Sequence, residues 1–380
     1  MGVLNLSPES FYQGSVLSDP SQVYETVQRM EKDGADFIDV GAASTAPKNA
    51  YGTIEVSQQK ELKRIRETLG LIVECTRLPI SIDTRSASVA EEALRMGAAL
   101  INDTSGLRAD SQMAKLVADN AVPIILMANC GEPCLSIESS LDSLGVSIRT
   151  ALGAGVNSDL IIIDPGIGFG KPAEIDCAIL RGLRAFSLLG HPLLVGVSRK
   201  AFIGNLLGLP DPAQRLAGTI AATSIAVLNG ADIIRAHDVR EARVAAAIGE
   251  ALRTPVSTAG DNVEILAPCN EREAELLIRQ VGASSEIIRQ LANKALTLSV
   301  VVRDVLTPAA LVLKQEMLAL GGDAAYHYDV IDHKTDRTDV LIIGTPLHLS
   351  KLVKRISTMR DFGLDKIGAR IRDVMSKRRC

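Results

Sequence analysis

Ile161-Ile-Ile-Asp164-Pro-Gly-Ile-Gly168-Phe-Gly170-Lys171 is the stretch on which the reading of this chain turns. A β-branched run ends abruptly in an aspartate, and Pro with three glycines follows within six residues. The pattern predicts a buried strand that delivers one carboxylate to its C-terminal end. A loop follows whose backbone bends tightly or lies against a ligand. In α/β proteins ligands gather at the C-terminal ends of parallel strands, which makes Asp164 the first candidate functional group. An aspartate that merely caps the following turn would look the same in isolation.

Working outward, the arrangement recurs. Strand-like runs at 3–6, 37–40, 79–83, 99–103, 122–127, 159–164, 192–196 and 231–235 alternate with helical patterns, among them 21–33, 55–74, 87–96, 111–119, 137–153, 213–229 and 239–252. Such alternation implies parallel strands joined by right-handed crossovers. Eight units in about 250 residues fit a (β/α)8 TIM barrel better than an open doubly wound sheet. The G-x-G-x-x-G fingerprint expected of the latter is missing after the first strand. A strand that begins almost at residue 1 has no lead-in, so the natural chain is expected to start earlier.

The strand ends carry Asn5, Gly41 with Ser44-Thr45, Asp83, Asn102-Asp103, Asp164, Ser198-Arg199-Lys200, and Arg235 with His237. Polar groups at seven of eight strand ends would converge on one rim, which turn-capping alone does not explain. Carboxylates and amides after strands 3, 4 and 6 suit a flat, nitrogen-rich heterocycle. Asn5, Arg235 and His237, adjacent across barrel closure, suit a diphosphate.

Hydrophobic residues make up 47% and charged residues 23% of the 380, enough for a large core and unlike a disordered chain. A net charge of -4 argues against nucleic-acid or membrane-surface partners. No apolar run reaches the length of a membrane span and no leader pattern opens the chain, so a soluble, cytoplasmic protein is expected. Six scattered cysteines suit a reducing compartment better than a disulfide framework. Cys130 and Cys134 lack matching partners for a metal site.

As a set, Gly2-Val-Leu-Asn5-Leu-Ser7-Pro-Glu9-Ser-Phe11, Ile82-Asp83-Thr84, Ile101-Asn102-Asp103, Asp164 to Lys171, Ser198-Arg-Lys200 and Arg235-Ala-His237-Asp238 resemble, in order, the motifs of dihydropteroate synthase. The opening motif is closer to archaeal members. The resemblance implies a transferase that joins a 6-hydroxymethyl-7,8-dihydropterin diphosphate to an arylamine and releases diphosphate. It implies pterin binding by Asp83, Asn102, Asp164 and Lys200, and diphosphate binding by Asn5, Arg235 and His237, with Mg2+ at Asn5. It further implies acceptor binding by Ser44, Thr45, Phe169 and Ser198, and catalytic roles for Lys200, Arg235 and His237. A homodimer is left open. Three departures stand out: Ala43 and Ala46 where the family has glutamate and arginine, Ala128 where histidine is common, and Pro172 for a threonine. They bear on the acceptor. A mouth widened by Ala43, Ala46 and Ala128, with Lys48 nearby, suits an extended ribofuranosyl-aminobenzene phosphate as in methanopterin synthesis, whereas a loop that only packs differently leaves 4-aminobenzoate as the acceptor. A pterin-dependent methyltransferase and an inactive pterin-binding homologue are the alternatives.

The expected organisation is a barrel over 1–252, a Pro/Gly-bearing linker over 253–262, and a smaller α/β or α+β domain over 263–380. In that domain, helices are expected at 272–281, 284–296, 308–320 and 347–359, and strands at 297–303 and 339–344. Thr307 to Gly322 resembles a segment fused to some members of the same family, with no role to assign. His327, Asp329 and His333 fit exposed loop positions better than a metal site, and Lys351, Lys354, Arg355 and Arg360 fit a solvated helix face.

Overall fold

The computed structural model describes residues 1–7, 19–43, 56–131, 133–253, 268, 270–332 and 334–377. The chain divides into two compact units, Met1–Pro255 and Val256–Cys380.

In the first unit eight parallel strands close into a (β/α)8 barrel. They are β1 (Gly2–Asn5), β2 (Ile38–Gly41), β3 (Ile80–Asp83), β4 (Leu100–Asp103), β5 (Ile124–Met127), β6 (Ile161–Asp164), β7 (Leu194–Val195) and β8 (Ile233–Ile234). The first six pair in chain order and β7 pairs with β8. Parallel bridges from Ile163 to Leu193 and from Gly2 to Ala236 complete the ring. Leu100, Ile125 and Leu194 form a buried cluster, flanked by Met1, Phe37, Ile162 and Ile233. Apolar side chains therefore fill part of the barrel interior, as in other barrels of this kind.

Helices cover the outside: α1 (Pro20–Lys32), α2 (Gln58–Cys75), α3 (Ala87–Arg95), α4 (Met113–Asn120), α5 (Ile137–Gly153), α6 (Ala173–Arg181), α7 (Ala201–Leu207), α8 (Leu216–Leu228) and α9 (Val239–Leu252). Their starts follow local chemistry. Asp19 accepts from Ser21 N ahead of Pro20, and Ser136 with Ser139 forms a capping box on α5. Val23, Val27 and Met30 put one face of α1 into the core. Among the described residues no helix is long and apolar enough to cross a membrane.

The cysteine expectation needs correction. Cys130 and Cys134 form a disulfide in the loop between β5 and α5, while Cys75 and Cys177 are free thiols. A separation of 4 residues in a turning loop brings the two Cα atoms to 5.5 Å, within bridging range.

The second unit packs helices on a three-stranded antiparallel sheet. Its helices are α10 (Glu271–Gln280), α11 (Ser285–Ala295), α12 (Thr307–Leu320), α13 (Pro346–Ile356) and α14 (Leu364–Lys377). Its strands are β9 (Leu298–Leu306), β10 (Asp323–Tyr326) and β11 (Arg337–Gly344), in the order β10-β11-β9. Two elements go beyond the sequence reading. β10 is an edge strand of Asp-Ala-Ala-Tyr, with little intrinsic strand preference, that forms by pairing with β11. α14 buries Leu364, Ile367, Gly368 and Ile371, a helical spacing beyond the last expected helix.

Candidate active site

The strand register sets the site. Asp83 lies abreast of Asn102, and the pairing runs on through Ile125 to Ile162, so Asp164 stands two residues further along β6, abreast of Met127. Asp83, Asn102 and Asp164 are all buried. Asp164 Oδ1 accepts from Gly166 N at 2.7 Å, while Ala128 N donates to the Asp164 carbonyl at 2.8 Å. Burial pushes the Asp164 carboxyl up from its ordinary range, against the Gly166 hydrogen bond and the charge of Lys200. A ligand that donates hydrogen bonds here would relieve that cost.

Arg235 leaves the end of β8 and reaches across to β2 and β3. Its Nε donates to Asp39 Oδ2 at 2.6 Å and its Nη2 to Asp83 Oδ2 at 2.9 Å. Burial disfavours the guanidinium charge, but Asp39 and Asp83 outweigh it and hold the group more firmly protonated than usual. Asp39 was missed by the sequence reading, which weighed strand ends only. Its signal was there: a carboxylate inside the apolar run Phe37-Ile-Asp-Val40 is a buried charge that needs a partner. Asn102 Nδ2 adds a third contact, to Asp39 Oδ2 at 3.1 Å.

The glycine loop after β6 wraps Lys200. Gly166 and Gly168 have φ of 70° and 78°, a left-handed conformation that disfavours side chains. The Lys200 chain lies where a Cβ on Gly168 would project. Lys200 Nζ donates to Ile167 O at 3.0 Å and stands 4.2 Å from the centre of the Phe169 ring. Burial lowers its pKa to about 8, with Asp164 acting against the shift. Asp176, a second residue the sequence reading passed over, is buried and accepts from Gly168 N at 2.9 Å, fixing the loop from α6. Lys171 donates to Gly166 O from the other side.

Ser198 and His237 meet on the next two strand ends: His237 Nδ1 is 2.9 Å from Ser198 Oγ, which also accepts from His237 N at 3.2 Å. Burial, then the charges of Arg235, Lys200 and Arg199, lower the His237 pKa to about 3. The imidazole is therefore neutral at pH 7, and it would meet an anion as a hydrogen-bond donor rather than a cation. Arg199, between Ser198 and Lys200, does not join them. Its backbone is left-handed, with φ of 54°, and its side chain turns into a buried bridge. There Nε and Nη2 bind Asp238 at 2.8 and 2.9 Å, and Nη1 donates to Pro212 O and Ala213 O.

Asn5 ends β1 opposite Gly41, and its Oδ1 lies 3.4 Å from where a Cβ on Gly41 would stand. Ser44 and Thr45 lie outside the described residues. Among the described residues no group of three His, Cys, Asp or Glu could hold a metal. Mg2+ usually keeps several waters and is held by one or two carboxylates with substrate phosphates, and Asn5 offers an amide oxygen where that pattern has a carboxylate.

Fold and site together define a pterin-binding (β/α)8 enzyme: a family model described as "Pterin binding enzyme" matches residues 1–237. The chain is 40% identical over 243 residues to the dihydropteroate synthase of Bacillus subtilis, covering 63% of this chain and 84% of that protein. With the Clostridium beijerinckii dihydropteroate synthase it shares 41% over 244 residues, 63% of this chain and 89% of the relative. Similar solved structures include two with ligands of this kind. Dihydropteroate synthase from Clostridium difficile, in the presence of pteroic acid, gives a TM-score of 0.61 at 38% identity, over 67% of this chain and 96% of that one. The Xanthomonas albilineans enzyme with 4-aminobenzoic acid gives 0.61 at 34%, over 67% and 92%. The chain belongs to the dihydropteroate synthase family and is a transferase of that kind.

Proposed function

We propose that this chain condenses 6-hydroxymethyl-7,8-dihydropterin diphosphate with 4-aminobenzoate in folate synthesis. The observation that carries the reading is the set of buried acceptors at neighbouring strand ends, Asp83, Asn102 and Asp164, with Arg235 bonded to Asp83 and the charges of Lys200 and Arg235 acting on Asp164. An ionised Asp164 would accept from the amino group and ring N–H of the pterin, each charge-assisted bond worth about 1.5–3 kcal/mol. The bond from the pterin methyl carbon to the diphosphate oxygen breaks, the arylamine nitrogen bonds to that carbon, and the nitrogen loses one proton. An arylamine is neutral at pH 7, so no strong general base is required, in keeping with a neutral His237. Asn5 and His237 would receive the diphosphate, with Ser198 and Phe169 on the acceptor side. When bound, Mg2+ with Asn5 would offset the charge gathering on the leaving diphosphate.

The extended arylamine of methanopterin synthesis has less support. Ala46 and Lys48 lie outside the described residues, Ala43 is partly exposed, and Ala128 is buried at 3% exposure, so the missing bulk at Ala128 does not widen a mouth. A methyltransferase and a silent pterin binder find no counterpart among the relatives named above. The test is diphosphate release on mixing the protein with the pterin diphosphate, Mg2+ and 4-aminobenzoate. Release only with the ribosylated arylamine would overturn the choice of acceptor, and no release with either would overturn the activity.

A homodimer belongs to the same proposal. Val244, Ile248 and Leu252 line one face of α9 at 61%, 54% and 67% exposure, with Ile225 of α8 at 45%. That face suits self-association, and Ile248→Asp should shift the sedimentation coefficient to that of a single chain. The cytoplasm is the proposed setting, and thiol counting on protein alkylated inside intact cells tests it against the Cys130–Cys134 bridge.

A further inference from the structure

One edge of a guanidinium, formed by Nε–H and an Nη2–H, is used in two ways in this barrel. In Arg199 both donors close on a single carboxylate, that of Asp238, at 2.8 and 2.9 Å. In Arg235 the same edge is divided: Nε goes to Asp39 at 2.6 Å and Nη2 to Asp83 at 2.9 Å. The two carboxylates come from neighbouring strands, with Asp83 at the end of β3 and Asp39 two residues before the end of β2. Asp39 is fully excluded from solvent, and its Oδ1 has no hydrogen-bond partner among the described residues. Its Oδ2 receives Asn102 Nδ2 as well. A buried carboxylate with one unused oxygen is costly, and it sits beside the site.

We propose that Asp39 is a positioning residue: it holds one arm of Arg235 so that the guanidinium cannot close on Asp83. The fork of an arginine matches a carboxylate bidentately and takes that geometry where it can, as Arg199 does. Without the Asp39 charge, Arg235 would turn both donors onto Asp83, and a pterin would have to break that clamp before using Asp83. By sharing Oδ2 with Asn102, Asp39 also fixes which end of the Asn102 amide faces it. The inference rests on the assignment of Asp83 to the pterin made above.

Asp39→Asn keeps the shape and removes the charge. A crystal structure of that variant without ligand is expected to show Arg235 Nε and Nη2 both on Asp83. In kinetics, KM for the pterin diphosphate is expected to rise about 10- to 100-fold, from the loss of one charge-assisted interaction. KM for 4-aminobenzoate should not change, and kcat should stay within about twofold. A role confined to packing would instead lower the folded, active fraction and leave KM where it was, which overturns the proposal. So does an Arg235 that keeps its place in the variant. Should Asp39→Asn not fold, nitrogen-15 NMR of arginine side chains in the unaltered protein decides. The Arg235 Nε–H resonance should stay protected and unmoved on adding 6-hydroxymethylpterin while the Nη2 resonance shifts. Loss of Nε–H protection on binding would refute the idea. Absence of turnover in the unaltered protein would strike the proposed function alone, since the unliganded variant structure still reports where Arg235 goes.

Discussion

The two units of this chain treat charge in opposite ways. The barrel buries Asp39, Glu61, Asp83, Asp103, Asp164, Asp176, Arg199, Lys200 and Arg215. Among the described residues of the second unit, the buried polar side chains are Thr307 and Thr338, both neutral. Taking an ion out of water costs several kcal/mol even after relaxation, so buried ions persist where geometry or chemistry holds them. The barrel concentrates that cost at the C-terminal ends of its strands. The second unit keeps its ion pairs at the surface, as Arg303–Asp339 does at 2.8 Å with side chains 77% and 53% exposed.

The contrast also explains the segment Thr307 to Gly322, which sequence alone could not interpret. In α12, Ala309, Ala310, Leu313 and Met317 are buried at the centre of the unit. Gly321 closes the helix in a left-handed cap, and a Cβ on Gly322 would stand 2.7 Å from Ile343 O. The segment reads as a packing motif between helix and sheet. His327 and Asp329, 3.4 Å apart, gather no third ligand among the described residues, and His333 lies outside them. Lys351, Lys354, Arg355 and Arg360 are exposed, with Arg355 bound to Glu316.

The sharpest way to break the contrast is to cut a buried bridge in the barrel. Arg199→Met leaves Asp238 without its partner and should cost about 3–5 kcal/mol in chemical denaturation of the barrel. A loss below about 1 kcal/mol would mean that burial in this barrel is cheaper than argued.

Next comes the ligand side. Asp164→Asn should keep the fold by circular dichroism yet weaken pterin binding by about 3 kcal/mol or more in calorimetry. One charge is lost, and a donor comes to face a donor. Unaltered affinity in a folded variant would remove Asp164 from the site.

Lys200 gives a pH signature of smaller size. Burial lowers its pKa from 10.5 to about 8, so between those values the unfolded chain holds the extra proton. By linkage, barrel stability should rise as pH climbs from about 8 to about 10.5, while kcat/KM for the pterin substrate falls as the ammonium is lost. His237, neutral in the fold down to about pH 3, should instead lower stability as pH drops below 6.5. Denaturation midpoints and initial rates across pH check both signs.

The smallest effects belong to the second unit. Arg303→Ala should change stability by less than about 1 kcal/mol, because its pair with Asp339 is exposed. A chain ending at Thr258 should keep a folded barrel and an unchanged kcat/KM, since unit one ends at Pro255 with its own core. Loss of activity on truncation would give the second unit a part in catalysis.

The site was legible in the sequence where a residue's role follows from its place on a strand. A strand of period two that ends in a polar residue delivers it to the rim whatever its neighbours do. Asn5, Asp83, Asn102 and Asp164 were placed at or next to strand ends in that way, and the strands end there. Reading by adjacency was less secure. Arg199 stands between two rim residues, but a left-handed backbone turns it into the bridge to Asp238.

By itself, then, the sequence determined the alternation of strands and helices, the polar strand ends and the glycine loop, because periodicity, propensity and turn chemistry act over a few residues. Tertiary structure decided which charges meet. Asp39 and Arg235 are 196 positions apart in the chain, and barrel closure brings them to 2.6 Å. It also left His237 neutral, lowered Lys200, and divided one guanidinium between two carboxylates. Electrostatic energies depend on separation and on exclusion of water, and both take their values only once the ring of strands is closed.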